Sequence, residues 1–237
     1  LDERTRVSRF LSFRQDARRI AEADSVAVIG LGRFGTSLAL ELMASGTEVL
    51  GIDADEDLVQ SLNGQLTQVV RADSTRIDVL EQLAIGEFDR VVVAIGSDIT
   101  ASILTASLLL TMKVPVIWAK AVDERHGAVL EQLGVHRVIY PEKDMGRRVA
   151  HLVRGAAADY LEIDRGYAVV KTVAPAHLQG ITLTDGAVRS TYGVTIAAYR
   201  TTHGEWRNAE ATTVLGDGDI VLVVGPTREV EKFAQLR

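Results

Sequence analysis

The chain contains no cysteine. Disulfide frameworks, thiolate-ligated zinc and thiol nucleophiles are therefore excluded, while histidine and carboxylate metal ligands stay open. Long hydrophobic runs are also missing. The longest apolar stretches, residues 91–95 and 220–224, are strand-sized and far short of the ~20 residues a transmembrane helix needs. There is no excess of positive charge: 26 Lys and Arg stand against 32 Asp and Glu, a formal charge of −6. That balance argues against a non-specific nucleic-acid binder, which carries a basic stripe. It also gives no electrostatic route to an anionic bilayer, so membrane association would need a protein partner and direct insertion is not expected. The visible N-terminus has no apolar signal-peptide core, and a cytoplasmic location is the expectation.

Marks of catalysis are equally scarce. The five histidines (His126, His136, His151, His177, His203) are scattered, form no His-x-x-x-His pair and read mainly as surface residues. No Gly-x-Ser-x-Gly elbow and no lysine-containing P-loop occurs. What remains is the composition of a soluble globular protein, 47% hydrophobic and 24% charged. Its 237 residues suit one large domain or two modest ones.

Three stretches divide the chain. Residues 1–24 alternate arginines with acids and read as a polar arm. From Ser25 an apolar strand, a turn and a helix repeat. Strands are expected at 25–29, 48–52, 68–70, 90–95, 116–119 and 137–140. Helices are expected from the glycine loop to about Ser45, then over 55–62, 76–83, 98–112 and 126–133. Strands that read as unbroken apolar runs, alternating with helices, indicate a parallel sheet covered on both faces. The expected fold class is α/β, a Rossmann-like doubly wound sheet over 25–157 that ends in a connecting helix at 145–157. From 158 to 237 the rhythm changes. Strands at 167–173, 195–200 and 220–224 are separated by turn signals, with helices over 184–190 and 227–236, which fits a small α+β lobe.

The sharpest motif is Gly30-x-Gly32-x-x-Gly35, directly after the first strand and opening the first helix. Each glycine has a physical role: a tight turn, close backbone approach to phosphate, and helix–strand packing. The helix N-terminus then offers unpaired N–H groups and a positive dipole end. Asp53 follows Gly35 by 18 residues, at the end of the second strand, where a carboxylate accepts hydrogen bonds from ribose hydroxyls. The plainer alternative is that the glycines serve packing and Asp53 caps the next helix. Asp73 and Ser74 end the third strand, where an adenine ring would lie, and Gly96 and Ser97 end the fourth; such polar residues also serve as turns and caps. Arg33, inside the loop beside Phe34, has no packing reason to be there. Its guanidinium fork suits terminal phosphates, which favours ADP or ATP over NAD(H).

These residues carry a resemblance. The string Val26-Ala27-Val28-Ile29-Gly30-Leu31-Gly32-Arg33-Phe34-Gly35 resembles the start of the regulator-of-potassium-conductance (RCK, or KTN) domain. So do Val93-Ala94-Ile95-Gly96, Ile117-Trp118-Ala119-Lys120-Ala121 and Tyr140-Pro141-Glu142-Lys143-Asp144-Met145-Gly146. The resemblance covers residues 25–237, with the C-terminal part similar to the small RCK C-lobe mainly in architecture. Residues 1–24 take nothing from it. It implies a non-enzymatic, KtrA-like cytoplasmic subunit that forms homodimers and an octameric gating ring beneath a membrane potassium channel or transporter. It further implies that ATP and ADP exchange in the N-lobe, with Arg33 reaching phosphates across a dimer interface. Glu142 would help hold Mg2+, Ca2+ or a monovalent cation, and Lys120 becomes a candidate phosphate neighbour. In some relatives the C-lobe binds cyclic di-AMP, but no motif here places that site. Glu142 also has a plain reading as a first-turn helix acid favoured by the dipole. Two other functions stay open at this level: an NAD-dependent soluble oxidoreductase, and a stand-alone RCK-type sensor without a membrane partner.

Overall fold

Five consecutive buried residues, Ser25–Ile29, form the first strand, β1. In the computed structural model, which describes residues 24–154, 157–202 and 204–236, this strand lies at the centre of a six-stranded sheet. The expected arm, apart from its last residue, and His203 lie outside the described residues. The helix α1 (Arg33–Ala44) follows, then β2 (Glu48–Asp53), α2 (Glu56–Ser61), β3 (Gln68–Arg71), α3 (Ile77–Gln82), β4 (Arg90–Val93), α4 (Ile99–Thr111), β5 (Val116–Lys120), α5 (Glu124–Leu133) and β6 (Arg137–Ile139). The strand order is β3-β2-β1-β4-β5-β6 and the pairings are parallel. Val28 is flanked by Gly51 on one side and Val92 on the other. The order therefore reverses between β1 and β4, and a crevice opens there at the C-terminal ends of the strands.

Side-chain alternation explains why both faces are covered. Ala27 and Ile29 of β1 join Val91, Val93, Ile117 and Ala119 in one core, with Leu109 of α4 and Leu130 of α5. Val26 and Val28 point the other way, into a second core with Val49, Val92, Leu31 and Ala39. Leu109 and Leu130 have no exposed surface, and each such burial contributes about 1.5–3 kcal/mol. The doubly wound α/β reading of this part holds.

Two compact units part between Glu142 and Lys143. The helix α6 (Pro141–Arg154) thus begins in the first and continues in the second. It starts four residues before the expected position. Proline is suited to the first helical turn, where its missing N–H has no acceptor to lose. The second unit holds β7 (Asp159–Asp164), β8 (Tyr167–Val173), α7 (Val188–Tyr192), β9 (Thr195–Arg200), β10 (Trp206–Asn208), β11 (Ile220–Pro226) and α8 (Thr227–Ala234). Its antiparallel sheet runs β10-β9-β11-β8-β7. Val170, Val221 and Val223 pack with Tyr160, Val230 and Phe233 beneath it.

Two expectations fail in this lobe. The edge strands β7 and β10 were not anticipated, because Asp-Tyr-Leu-Glu-Ile-Asp and the three residues of β10 carry little strand signal. The helix expected over 184–190 forms only as α7, since Ala187 takes a left-handed conformation (φ 48°) that a continuous helix does not accept. In the first unit, where the histidines read mainly as surface residues, His126 on α5 is buried, while His136 is exposed.

Candidate functional site

The turn after β1 is held by main-chain bonds and one carboxylate. Gly30 N–H donates to the Ile52 carbonyl at 2.8 Å, and Ala94 N–H to the Ile29 carbonyl at 2.7 Å. Leu31 is fixed at both ends of its backbone. Its N–H donates to Asp53 Oδ2 at 2.6 Å, and its carbonyl accepts from Thr36 Oγ1 at 2.6 Å. Asp53 Oδ1 also accepts from Asp55 N–H at 2.9 Å. Asp53 therefore ties the glycine loop to the turn after β2, and the cap of α2 is Asp55 rather than Asp53.

The three glycines have different environments. Gly30 sits at φ +95°, and a Cβ there would lie 2.8 Å from the Ile95 nitrogen. A Cβ on Gly35 would lie 1.8 Å from the Gly30 carbonyl oxygen, so α1 can approach the loop only through a glycine. Gly32 differs: a Cβ on it would meet no protein atom within 4 Å. Gly32 is also the N-cap of α1, and no side chain caps that helix. By contrast, α2, α4 and α5 are capped by Asp55, Asp98 and Asp123, while α3, α7 and α8, like α1, have no side-chain cap. The first N–H groups of α1 are left for an acceptor from outside, beside open space at Gly32. These residues fit the phosphate of a nucleotide.

A second group gathers beyond the ends of β4 and β5. Lys120, buried at the end of β5, places Nζ 2.5 Å from Glu142 Oε1 in the first turn of α6. The same Nζ is 5.8 Å from the centre of the Phe34 ring in the first turn of α1. A Cβ on Gly96 would lie 3.2 Å from Nζ, so that glycine makes room for the ammonium. The hydrogen bond from Lys120 holds the Glu142 carboxyl below its ordinary range; burial opposes this, and the charges of Lys120 and the exposed Arg33 add to it. Phe34, Gly96, Lys120 and Glu142 are thus assembled, with Arg33 acting on Glu142 through its charge. Among the described residues, no group of three or more His, Asp or Glu side chains is placed to hold a metal ion. Glu142 alone offers one carboxylate, so a cation there would take its other ligands from phosphate oxygens or water.

Of the remaining candidates, Asp73 and Ser74 make local bonds. Asp73 Oδ1 accepts from Thr75 Oγ1 at 2.6 Å and from Thr75 N–H at 3.0 Å, and these bonds lower its pKa. Ser74 is buried, its hydroxyl 2.9 Å from that of Thr105 on α4. Ser97 is exposed before the Asp98 cap. Sequence reading missed Thr36 and the pairing of Lys120 with Glu142. The signal for the pair is a lysine closing an apolar strand, with a glycine, Gly96, just beyond the end of its neighbour.

The TrkA-N domain family matches residues 26–141. The Ktr system potassium uptake protein C of Bacillus subtilis (strain 168) is 39% identical over 208 residues, covering 87% of this chain and 94% of that protein. The chain belongs to the RCK family, among its Ktr-type members. A second such member, the Ktr system potassium uptake protein A of Vibrio alginolyticus, is 35% identical over 84% of this chain and 91% of its own length. Among solved structures, the GsuK channel bound to NAD superposes with a TM-score of 0.63 at 15% identity. It covers 89% of this RCK chain, which in turn spans 39% of the channel chain, and supports the fold alone. Within the described residues no helix is long and apolar enough to cross a membrane.

Proposed function

We propose that this chain is a non-enzymatic, nucleotide-sensing subunit that regulates a membrane potassium channel or transporter from the cytoplasmic side. The observation that carries the reading is the uncapped N-terminus of α1 at Gly32, with open space where a Cβ would be and Asp53 alongside. The Ktr-type relatives, named for potassium uptake, support the transport role. ADP or ATP is the proposed ligand, its ribose at Asp53 and its phosphates at the first turn of α1. Arg33 meets the terminal phosphates in its own site or a neighbour's. A cation held in part by Glu142 offsets the repulsion between carboxylate and phosphate. Homodimers assemble into an octameric ring, which attaches to the membrane through its transport partner. ATP and ADP shift the ring between shapes only by differing in affinity for them, and the γ-phosphate is the group that supplies the difference.

Calorimetry with ATP, ADP and NADH, together with mass measurement in solution, tests the proposal. Adenine nucleotides bind, and Arg33→Ala loses the preference for ATP over ADP. Tight NADH binding with no ATP or ADP binding would overturn the choice of ligand.

A further inference from the structure

The Lys120 ammonium lies between two helix starts. Glu142 in the first turn of α6 is 2.5 Å away, and the ring of Phe34 in the first turn of α1 is 5.8 Å away. Its side chain is 11% exposed, whereas that of Glu142 is 62% exposed. A buried ammonium needs an anionic partner, because an unpaired charge out of water is costly. The solvated carboxylate has less need of the lysine, since water can replace it. The pair is therefore asymmetric: Lys120 requires an acceptor, and Glu142 is the one it has here.

A phosphate at the α1 N-terminus would be a second acceptor for the same ammonium. Phosphate oxygens form strong charge-assisted bonds to lysine. From these placements we infer that Lys120 is a shared counter-ion that exchanges partners. It neutralises Glu142 in the nucleotide-free chain and moves to the terminal phosphate when nucleotide binds. The exchange leaves Glu142 without its lysine and loosens the first turn of α6, the point where the first compact unit ends. This rests on the nucleotide reading above and adds to it a route by which ligand state reaches α6. Glu142 then acts before any cation arrives, as a competitor that the phosphate must displace. By linkage, whatever strengthens the Lys120–Glu142 bond weakens nucleotide binding to the same degree.

The test is a double-mutant cycle read by calorimetry with ATP, in EDTA so that no divalent cation contributes. Lys120→Met weakens binding about tenfold or more. Glu142→Gln, which removes the competing charge at nearly constant shape, tightens binding several-fold. In the Lys120→Met background the same Glu142 change gives less than half that gain, because no ammonium is left to release. Hydrogen exchange at residues 145–149 gives an independent readout: it speeds up when ATP binds the native chain and is already fast in Lys120→Met without ATP. Melting curves establish that each variant is folded before it is compared. An equal Glu142→Gln effect in both backgrounds, or a weakening by Glu142→Gln in EDTA, overturns the exchange and leaves only through-space repulsion. If the native chain binds no adenine nucleotide, the broader reading fails and the exchange fails with it.

Discussion

Replacing Gly32 and Gly35 by alanine separates a glycine needed by the fold from one needed by a ligand. At Gly35 the new Cβ would sit 1.8 Å from the Gly30 carbonyl oxygen and 3.2 Å from the Ala94 Cβ. Reaching even 3.0 Å requires a movement of about 1.2 Å, and the atom in the way is backbone. Overpacking of this kind costs ~1–3 kcal/mol, and a rigid neighbour puts Gly35→Ala at the upper end. At Gly32 the backbone has φ −64° and ψ −172°, which alanine adopts without strain, and its Cβ would touch nothing within 4 Å. Two small effects then oppose each other. Alanine is a poorer N-cap than glycine, by several tenths of a kcal/mol, and it lowers the entropy of the unfolded chain, a gain of ~0.4–1 kcal/mol. The net change in stability for Gly32→Ala is thus within about 1 kcal/mol of zero. Its methyl group nevertheless fills the space through which a phosphate oxygen must approach the α1 N–H groups. A loss of affinity of tenfold or more, or ~1.4 kcal/mol, is expected. Urea unfolding followed by circular dichroism, with ATP calorimetry on the same samples, measures both effects. Unchanged ATP binding by Gly32→Ala, or a destabilisation matching that of Gly35→Ala, would refute this division of roles.

Ser74→Ala removes a buried hydroxyl bonded to Thr105, so stability falls by ~1 kcal/mol while ATP affinity changes less than threefold. A large, selective loss of affinity would instead return Ser74 to the binding site. Acidification weakens the fold in two windows. Burial depresses the pKa of His126, whose Nδ1 accepts the Val122 N–H. The unfolded chain therefore takes up the proton first, and stability drops as pH falls below ~6.5. His126→Asn, which keeps an acceptor but does not titrate, flattens that part of a urea-unfolding series. Hydrogen bonds from Thr75, Arg148 and Arg147 respectively hold the carboxyls of Asp73, Asp159 and Glu162 below their ordinary values. Their contribution is whole above the unfolded-state range near ~4 and is lost as pH falls below it, through the lower pKa values of the folded chain.

Sequence periodicity reveals the first unit because its determinants are local. β1 is apolar throughout, the glycine loop follows at once, and Asp98 announces α4. The second unit is less legible, since edge strands such as β7 gain their shape from a neighbour. Tyr160 and Leu161 pair with Val170 and Val169, and nothing in the composition of β7 says so. The same distinction runs through the site. Gly30, Gly32, Gly35 and Asp53 lie on consecutive elements and can be found by spacing. Lys120 and Glu142 come together only because β5 is flanked by β4 and β6, which places the end of β5 beside the chain entering α6.

Asp53 and Lys120 share a property that bears on how the site binds. Each is satisfied by the protein itself: Asp53 by the N–H groups of Leu31 and Asp55, and Lys120 by Glu142. Asp53 can keep both bonds and still accept a ribose hydroxyl, because a carboxylate has about four lone-pair directions. Its internal bonds hold the loop in shape and reduce the ordering that binding would otherwise require. Lys120 is different. Its ammonium has three N–H donors, but in the exchange inferred above the bond to Glu142 yields as the ammonium turns to a phosphate. On the proposed reading the ribose side is preorganised, and the phosphate side is a competition. Affinity for the adenosine moiety should therefore respond little to changes at Glu142, while affinity for the terminal phosphates responds strongly. That difference lets such a site distinguish nucleotides by phosphate number while holding their common part in one place.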